Sequence, residues 1–303
     1  MNNKSIYMAA MMMVATTFLV KAQQTVLFPE YNNNPFLINS AYAGMGLGSE
    51  ITLSNYGYVN PIDGSPKTLA LSFHTPMTDG KMGLGGVLLR DEIGVGSSTQ
   101  AFLAYSYKIF FDYKRNRPYW QLYDANVLSF GITAGVQQFN QNLMALGIPG
   151  DPEFSSNVNA TVPTVGLGFL YNCANFYVGV SAPNIVGDKL ANRDDLNLSS
   201  PVYGYLGYRF YNNKFEEFMV SPSALLKYEE GAPMQLDLNV SVNFKNKFEL
   251  GTGYRSSSSV NLMAGIYALK HLKFVYYHNI GFHNTALGNA HGFILSYLFK
   301  GYE

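Results

Sequence analysis

Residues 233 to 245, P-M-Q-L-D-L-N-V-S-V-N-F-K, alternate apolar and polar side chains without a break. Met234, Leu236, Leu238, Val240, Val242 and Phe244 fall on one face, and Gln235, Asp237, Asn239, Ser241, Asn243 and Lys245 on the other. Strict period two is a strand, because successive side chains leave a pleated backbone on opposite sides. The run is longer than an ordinary globular strand and suits a tilted strand crossing a bilayer.

The same alternation recurs. Residues 126 to 139 oppose Leu128, Phe130, Ile132, Ala134 and Val136 to Ser129, Gly131, Thr133, Gly135 and Gln137. Residues 98 to 110 oppose Ala101, Leu103, Tyr105, Tyr107 and Ile109 to Gln100, Ser106 and Lys108, and residues 246 to 256 oppose Phe248, Leu250 and Tyr254 to Glu249, Gly251, Gly253 and Arg255. Small and charged residues take the second face, as on the lumen side of a membrane barrel. Weaker runs near 49 to 58, 66 to 76, 81 to 90, 162 to 172, 174 to 183, 201 to 211, 215 to 228, 259 to 269, 270 to 281 and 290 to 300 bring the expectation to about fourteen antiparallel strands, an even number as bacterial barrels have. The last run places Phe293, Leu295, Tyr297 and Phe299 on one face, as a barrel-closing strand would.

Composition agrees. Tyr 23, Phe 21 and Gly 29 stand against 13% charged residues, while mean hydropathy is close to zero because lipid-facing and lumen-facing residues cancel. Beyond the N-terminus no apolar run reaches eighteen residues, which excludes a helical membrane protein. The fold class expected is all-β, a transmembrane outer-membrane barrel over 49–303.

Residues 1–22 read as a signal peptide: Lys4 precedes the apolar stretch Ile6 to Val20, and Val20-Lys21-Ala22 forms a small-residue cleavage site. Without Lys4 and Lys21 the basic residues fall from 20 to 18 against 20 acidic ones, so no net basic field attracts nucleic acid. Cys173, the single cysteine, makes no internal disulfide and is expected as a small buried hydrophobe.

Between leader and first strand lies F-P-E-Y-N-N-N-P-F-L-I-N-S-A-Y-A-G, Phe28 to Gly44, which has neither helical nor strand periodicity yet is strongly aromatic. Residues 23–48, Pro35 among them, are expected to form a plug in or across the periplasmic mouth, with Phe28, Tyr31, Phe36 and Tyr42 supplying packing and Asn32, Asn33, Asn34 and Asn39 satisfying polar groups. Loop lengths orient the wall, since such barrels have short periplasmic turns and longer external loops. Segments 140 to 161, 184 to 200 and 281 to 289 are expected outside, and the turns at Met77 to Gly80, Asn172 to Asn175, Tyr211 to Lys214 and near Asn246 inside. The exception is 111 to 125 on the periplasmic side. Its Lys114, Arg115, Arg117 and Trp120 are candidate partner-binding residues, since Trp and Arg dominate binding hot spots; an interfacial aromatic anchor is the simpler alternative.

Catalytic and metal signatures are missing. His74, His271, His278, His283 and His291 show no ligand spacing, and the last three are expected on or beside one external loop. The glycine clusters at 44 to 48 and 83 to 86 lack a following G-K-[ST] and instead suit close approaches in a barrel wall. No G-x-S-x-G elbow is present. Hence no enzyme activity, cofactor or metal is expected. Asp237, Glu249, Lys245, Arg209, Arg255 and Lys273 are expected to face the lumen and to pair there, because unpaired buried charge is costly.

Asn34-Pro35-Phe36-Leu37-Ile38-Asn39-Ser40-Ala41-Tyr42-Ala43-Gly44 resembles the Asn-Pro-x-x-x-Asn-Pro-Ala-Tyr-Ala-Gly run of the PorP/SprF family of type IX secretion system membrane proteins, with Ser40 in place of proline. Further matches follow in order: Gly64-Ser65-Pro66-Lys67-Thr68, Lys81-Met82-Gly83-Leu84-Gly85, Asp91-Glu92-Ile93-Gly94, Gly207-Tyr208-Arg209-Phe210, Ser221-Pro222-Ser223-Ala224-Leu225, Gln235-Leu236-Asp237-Leu238-Asn239 and Gly251-Thr252-Gly253-Tyr254-Arg255. Leu53-Ser54-Asn55-Tyr56 departs from the family's Arg-x-Gln-Trp. The resemblance implies an outer-membrane protein of Bacteroidetes-type bacteria. Its implied partners are outer-membrane lipid, periplasmic type IX components, and an exported adhesin or its C-terminal targeting domain, with a role in surface anchoring or gliding motility. A plugged channel or hydrophobic-substrate transporter is the alternative from another class.

Overall fold

The computed structural model describes residues 31–46, 48–58, 64–77, 80–113, 125–146, 156–186, 200–212, 217–256, 258–268, 271–282 and 289–299. The proposed leader, Phe28, and Lys114, Arg115, Arg117 and Trp120 lie outside these residues.

Fifteen strands form one antiparallel sheet: β1 (Glu50–Tyr58), β2 (Lys67–Pro76), β3 (Met82–Ile93), β4 (Gly96–Tyr113), β5 (Ala125–Gln141), β6 (Val158–Asn172), β7 (Phe176–Ala182), β8 (Val202–Tyr208), β9 (Phe210–Tyr211), β10 (Phe218–Tyr228), β11 (Gln235–Phe244), β12 (Phe248–Arg255), β13 (Ser259–Ala268), β14 (Leu272–Gly281) and β15 (Ala290–Leu298). β8 and β9 both pair with β10 and form one stave interrupted at Arg209, so the wall has fourteen staves. The interruption faces Ser221 and Pro222 of β10, and proline has no N–H to give the ladder. The ring closes where β1 pairs with β15, from Glu50 opposite Leu298 to Tyr58 opposite Ala290, leaving no free sheet edge. Among the described residues no helix is long and apolar enough to cross a membrane; the strands make the crossing.

Burial is inverted relative to a soluble protein. Leu103, Ile132, Leu206, Leu250 and Ile266 are exposed on the outer face, while Ser72, Ser106, Ser129 and Ser296 on the inner face are fully buried. Lipid solvates the first set, and the second packs into an occupied lumen. β4, β5 and β6 are longer than their apolar alternation. Their ladder runs on where the outward residues become polar, as at Gln138, Asn159 and Thr161, so this side of the wall rises beyond the lipid-facing band.

Two expectations need correction, and one is sharpened. Lys245 does not enter the lumen: β11 ends at Phe244, and Lys245 and Asn246 (φ 53° and 51°) make the turn into β12, the positive-φ pair that tight hairpins favour. Its ammonium reaches Glu217 across the turn at 3.7 Å, half-exposed. His278 and His291 lie near the ends of β14 and β15, beside the connection between them, and face one another with ring centroids 4.5 Å apart; His283 lies outside the described residues. The other correction is Cys173, which is half-buried in the turn between β6 and β7.

Candidate functional site: the occupied lumen

Residues 31–46 lie inside the ring. Pro35 fixes φ at the start of a 3-10 turn over Pro35–Leu37. A second turn spans Ser40–Tyr42 and is capped by Asn39, whose side-chain oxygen accepts from the Ala41 N–H at 2.9 Å. Gly44 then turns the chain out with φ 58°, in a place where a Cβ would stand 2.6 Å from the Thr75 carbonyl oxygen.

The wall on one side is moulded to this path. A Cβ at Gly131 would lie 2.3 Å from the Ala41 nitrogen, and one at Gly168 would lie 2.0 Å from Asn39 Oδ1. Gly83 and Gly85 similarly admit the Ala43 carbonyl and the Phe36 ring. Between the glycines, Ser106 Oγ donates to the Ala43 carbonyl and Ser129 Oγ to the Ala41 carbonyl, each at 2.7 Å. These two bonds satisfy carbonyls that the short turns leave unpaired.

On the other sides the asparagines reach the wall. Asn39 Nδ2 donates to Tyr205 Oη at 2.6 Å and to the Phe169 carbonyl at 3.0 Å. Asn34 Nδ2 donates to Ser72 and more distantly to Ser54, and Asn33 Nδ2 to Tyr277 Oη at 2.6 Å and the Met263 sulfur. Asn32 Nδ2 donates to Ser223 and its oxygen accepts from Tyr177, while Tyr31 Oη accepts from Asn239 Nδ2 at 3.0 Å and shares a bond with Ser223. With Lys273 donating to the Asn33 carbonyl, the segment is hydrogen-bonded to β1, β2, β4, β5, β6, β7, β8, β10, β11, β13 and β14. Phe36 packs edge-on against His74 and Tyr42 stacks on Tyr205. Burial pushes the Tyr31 and Tyr42 phenols above their ordinary value, so both remain neutral hydrogen-bonding groups.

Toward the outer end the lumen holds charge. Arg255 binds Asp237 through two nitrogens at 2.7 and 2.9 Å, both side chains almost fully buried, and Lys227 meets Glu229 at 3.0 Å. At the opposite end, beside the turn from β11 to β12, Glu249 accepts a hydrogen bond from Tyr267. At that same end Arg209 donates to Asn172 and the Cys173 carbonyl and lies over the Tyr177 ring. Among the described residues there is no group of three or more His, Cys, Asp or Glu able to hold a metal ion.

Of the residues singled out in sequence, Tyr31, Asn34, Pro35, Phe36, Asn39 and Tyr42 are thus brought together inside the ring. The wall residues that receive them, Gly131, Gly168, Ser106, Ser129, Tyr177 and Tyr205, were not singled out as a set. Only the strand register shows that they adjoin: Ser106 pairs with Gly131, Gly131 with Gly168, and Gly179 with Tyr205.

A family model described as type IX secretion system membrane protein PorP/SprF matches residues 20–297. The chain belongs to the PorP/SprF family. The motif that carries the resemblance, Asn34 to Gly44, is the buried run that crosses the lumen of this PorP/SprF barrel. Among solved structures, the PorP/SprF chain is similar to the toluene transporter TbuX of Ralstonia pickettii (11% identity over 88% of this chain and 93% of that one, TM-score 0.53). It is also similar to Omp33 of Acinetobacter baumannii (9% identity, 84% and 100% covered, TM-score 0.49). At such identities the likeness to TbuX concerns the fold alone, an outer-membrane barrel. No curated protein sequence matches the chain. This PorP/SprF protein is therefore an outer-membrane β-barrel associated with the type IX secretion machinery.

Proposed function

We propose that this barrel is a closed, non-enzymatic scaffold that binds an exported surface protein, such as an adhesin or its C-terminal targeting domain, and couples it to the periplasmic part of the machinery. The observation that carries this reading is the inner segment, hydrogen-bonded to eleven of the fourteen staves. A conduit would need open lumen along its axis. Here aromatic rings, asparagine side chains and a buried Arg255–Asp237 pair occupy that space, so residues 31–46 act as a plug. The connection between β4 and β5 carries Lys114, Arg115, Arg117 and Trp120 in its sequence, and these supply basic and aromatic groups for docking a periplasmic component.

A strain lacking the gene is expected to lose one specific surface protein from its exterior while other outer-membrane proteins stay at normal levels. Unchanged display of every surface protein would overturn the scaffold. The competing reading, transport of an apolar solute as the name of TbuX says of that protein, predicts solute uptake or ion conductance by the purified barrel in liposomes. The scaffold predicts neither.

A further inference from the structure

Below the inner segment lies a hollow of about 130 Å³, bounded by Asn243 and Asn246 near the periplasmic turn from β11 to β12. Its size admits the end of a chain, not a folded domain. Tyr42, Tyr177 and Tyr205 present rings to it, and Asn243 and Asn246 present amides near its mouth. Three charged groups border it. Arg209 is engaged by Asn172, the Cys173 carbonyl and the Tyr177 ring, and Glu249 by Tyr267.

Lys273 is different. Its side chain is buried, its ammonium lies 5.6 Å from the centroid of the Tyr267 ring, and among the described residues its one hydrogen bond runs to the Asn33 carbonyl at 3.4 Å. An ammonium has three N–H donors. Among the described residues no carboxylate forms an ion pair with it within 4.0 Å, Glu249 and Glu50 acting on it from farther off, and it borders two cavities. A buried cation at a cavity wall with spare donors is a binding group for an anion, since unpaired it is costly and paired it gains a charge-assisted bond.

We propose that this vestibule captures a carboxylate-terminated peptide tail from the periplasm, with Lys273 binding the terminal carboxylate, the tyrosine rings packing its last side chain and the amides holding its backbone. This proposal rests on the scaffold reading and names the part of a client or partner that enters the barrel. Recognition of a chain end suits the site: a tail brings one charge and an apolar side chain on a flexible stem, matching a cation beside tyrosine rings.

The test uses the full-length barrel in detergent micelles, with N-acetyl-alanyl-phenylalanine, its C-terminal amide and inorganic phosphate as probes, followed by ligand-observed NMR. The free acid is expected to bind about tenfold more tightly than the amide, the preference a charge-assisted bond gives. Lys273→Met should erase that preference while heat-modifiable gel migration shows the barrel still closed. Glu249→Gln, which removes the neighbouring negative charge, should tighten acid binding about threefold and leave the amide unchanged. Equal binding of acid and amide, an acid preference that survives Lys273→Met, or phosphate displacing the acid at equal concentration would each overturn the peptide-tail site. The deletion phenotype separates the two ideas. Lost surface display with no acid preference removes the vestibule site alone, whereas normal display removes the scaffold whatever the probes do.

Discussion

The inner segment meets two unlike walls. Along β3 to β6 the contact is backbone against backbone, because Gly83, Gly85, Gly131 and Gly168 have no side chain to keep the turns away and serine hydroxyls fill the gaps. Along β10 to β14 the gap is bridged by side chains: Asn239 reaches Tyr31, Tyr277 reaches Asn33, and Lys273 stretches to the Asn33 carbonyl. The segment is therefore seated against one wall and moored to the other. A seat fails when atoms are added, and a mooring fails when atoms are removed. The free volume also collects on the moored side, where long side chains cannot fill space as closely as backbone does.

The comparison can be broken most severely on the moored side. Asp237→Ala strips the partner from Arg255, which is almost fully buried, and should cost about 3 to 5 kcal/mol in urea unfolding from vesicles; a loss below about 1 kcal/mol would show the pair to be dispensable. On the seated side, Gly131→Val should cost about 1 to 3 kcal/mol by overpacking against Ala41, and should also expose residues 31–46 to protease in the closed barrel. Continued resistance of the segment would mean that the seat does not hold it. The smallest effect is expected from one mooring. Asn33→Ala forfeits its bond to Tyr277 and should cost about 1 kcal/mol with the segment still protected.

The wall was legible in the sequence because lipid imposes period two on every stave. The outer residues of β11, from Leu236 to Val240, and of β4, from Leu103 to Ile109, are those that alternation placed there. Lys245 was misplaced because the alternation runs on into the turn, and only the positive φ of Lys245 and Asn246 shows where the strand stops. The ends of β4 to β6 were set too short because hydrogen bonding continues after the outward residues turn polar. Inside the lumen no period operates. Asn33, Asn34 and Asn39 read as polar residues of the right kind, but which hydroxyl each meets depends on the ring closing at β1 and β15 and on register across fourteen staves. Gly131 and Gly168 read as ordinary small residues until the segment they accommodate is in place.

With β8 and β9 counted as one stave, every pairing in the ring joins neighbours in sequence except that of β1 with β15. Assembly can thus proceed as a series of local hairpins, with a single long-range step that must join residues some 240 positions apart, such as Thr52 and Ser296. The segment that fills the lumen is attached directly to β1, one of the two strands in that last seam. Its arrival and the closing of the wall are therefore coupled in time: a sheet that zips β1 to β15 first must thread sixteen residues of aromatic chain into a finished ring, whereas one that seats them first closes around a ready-made template.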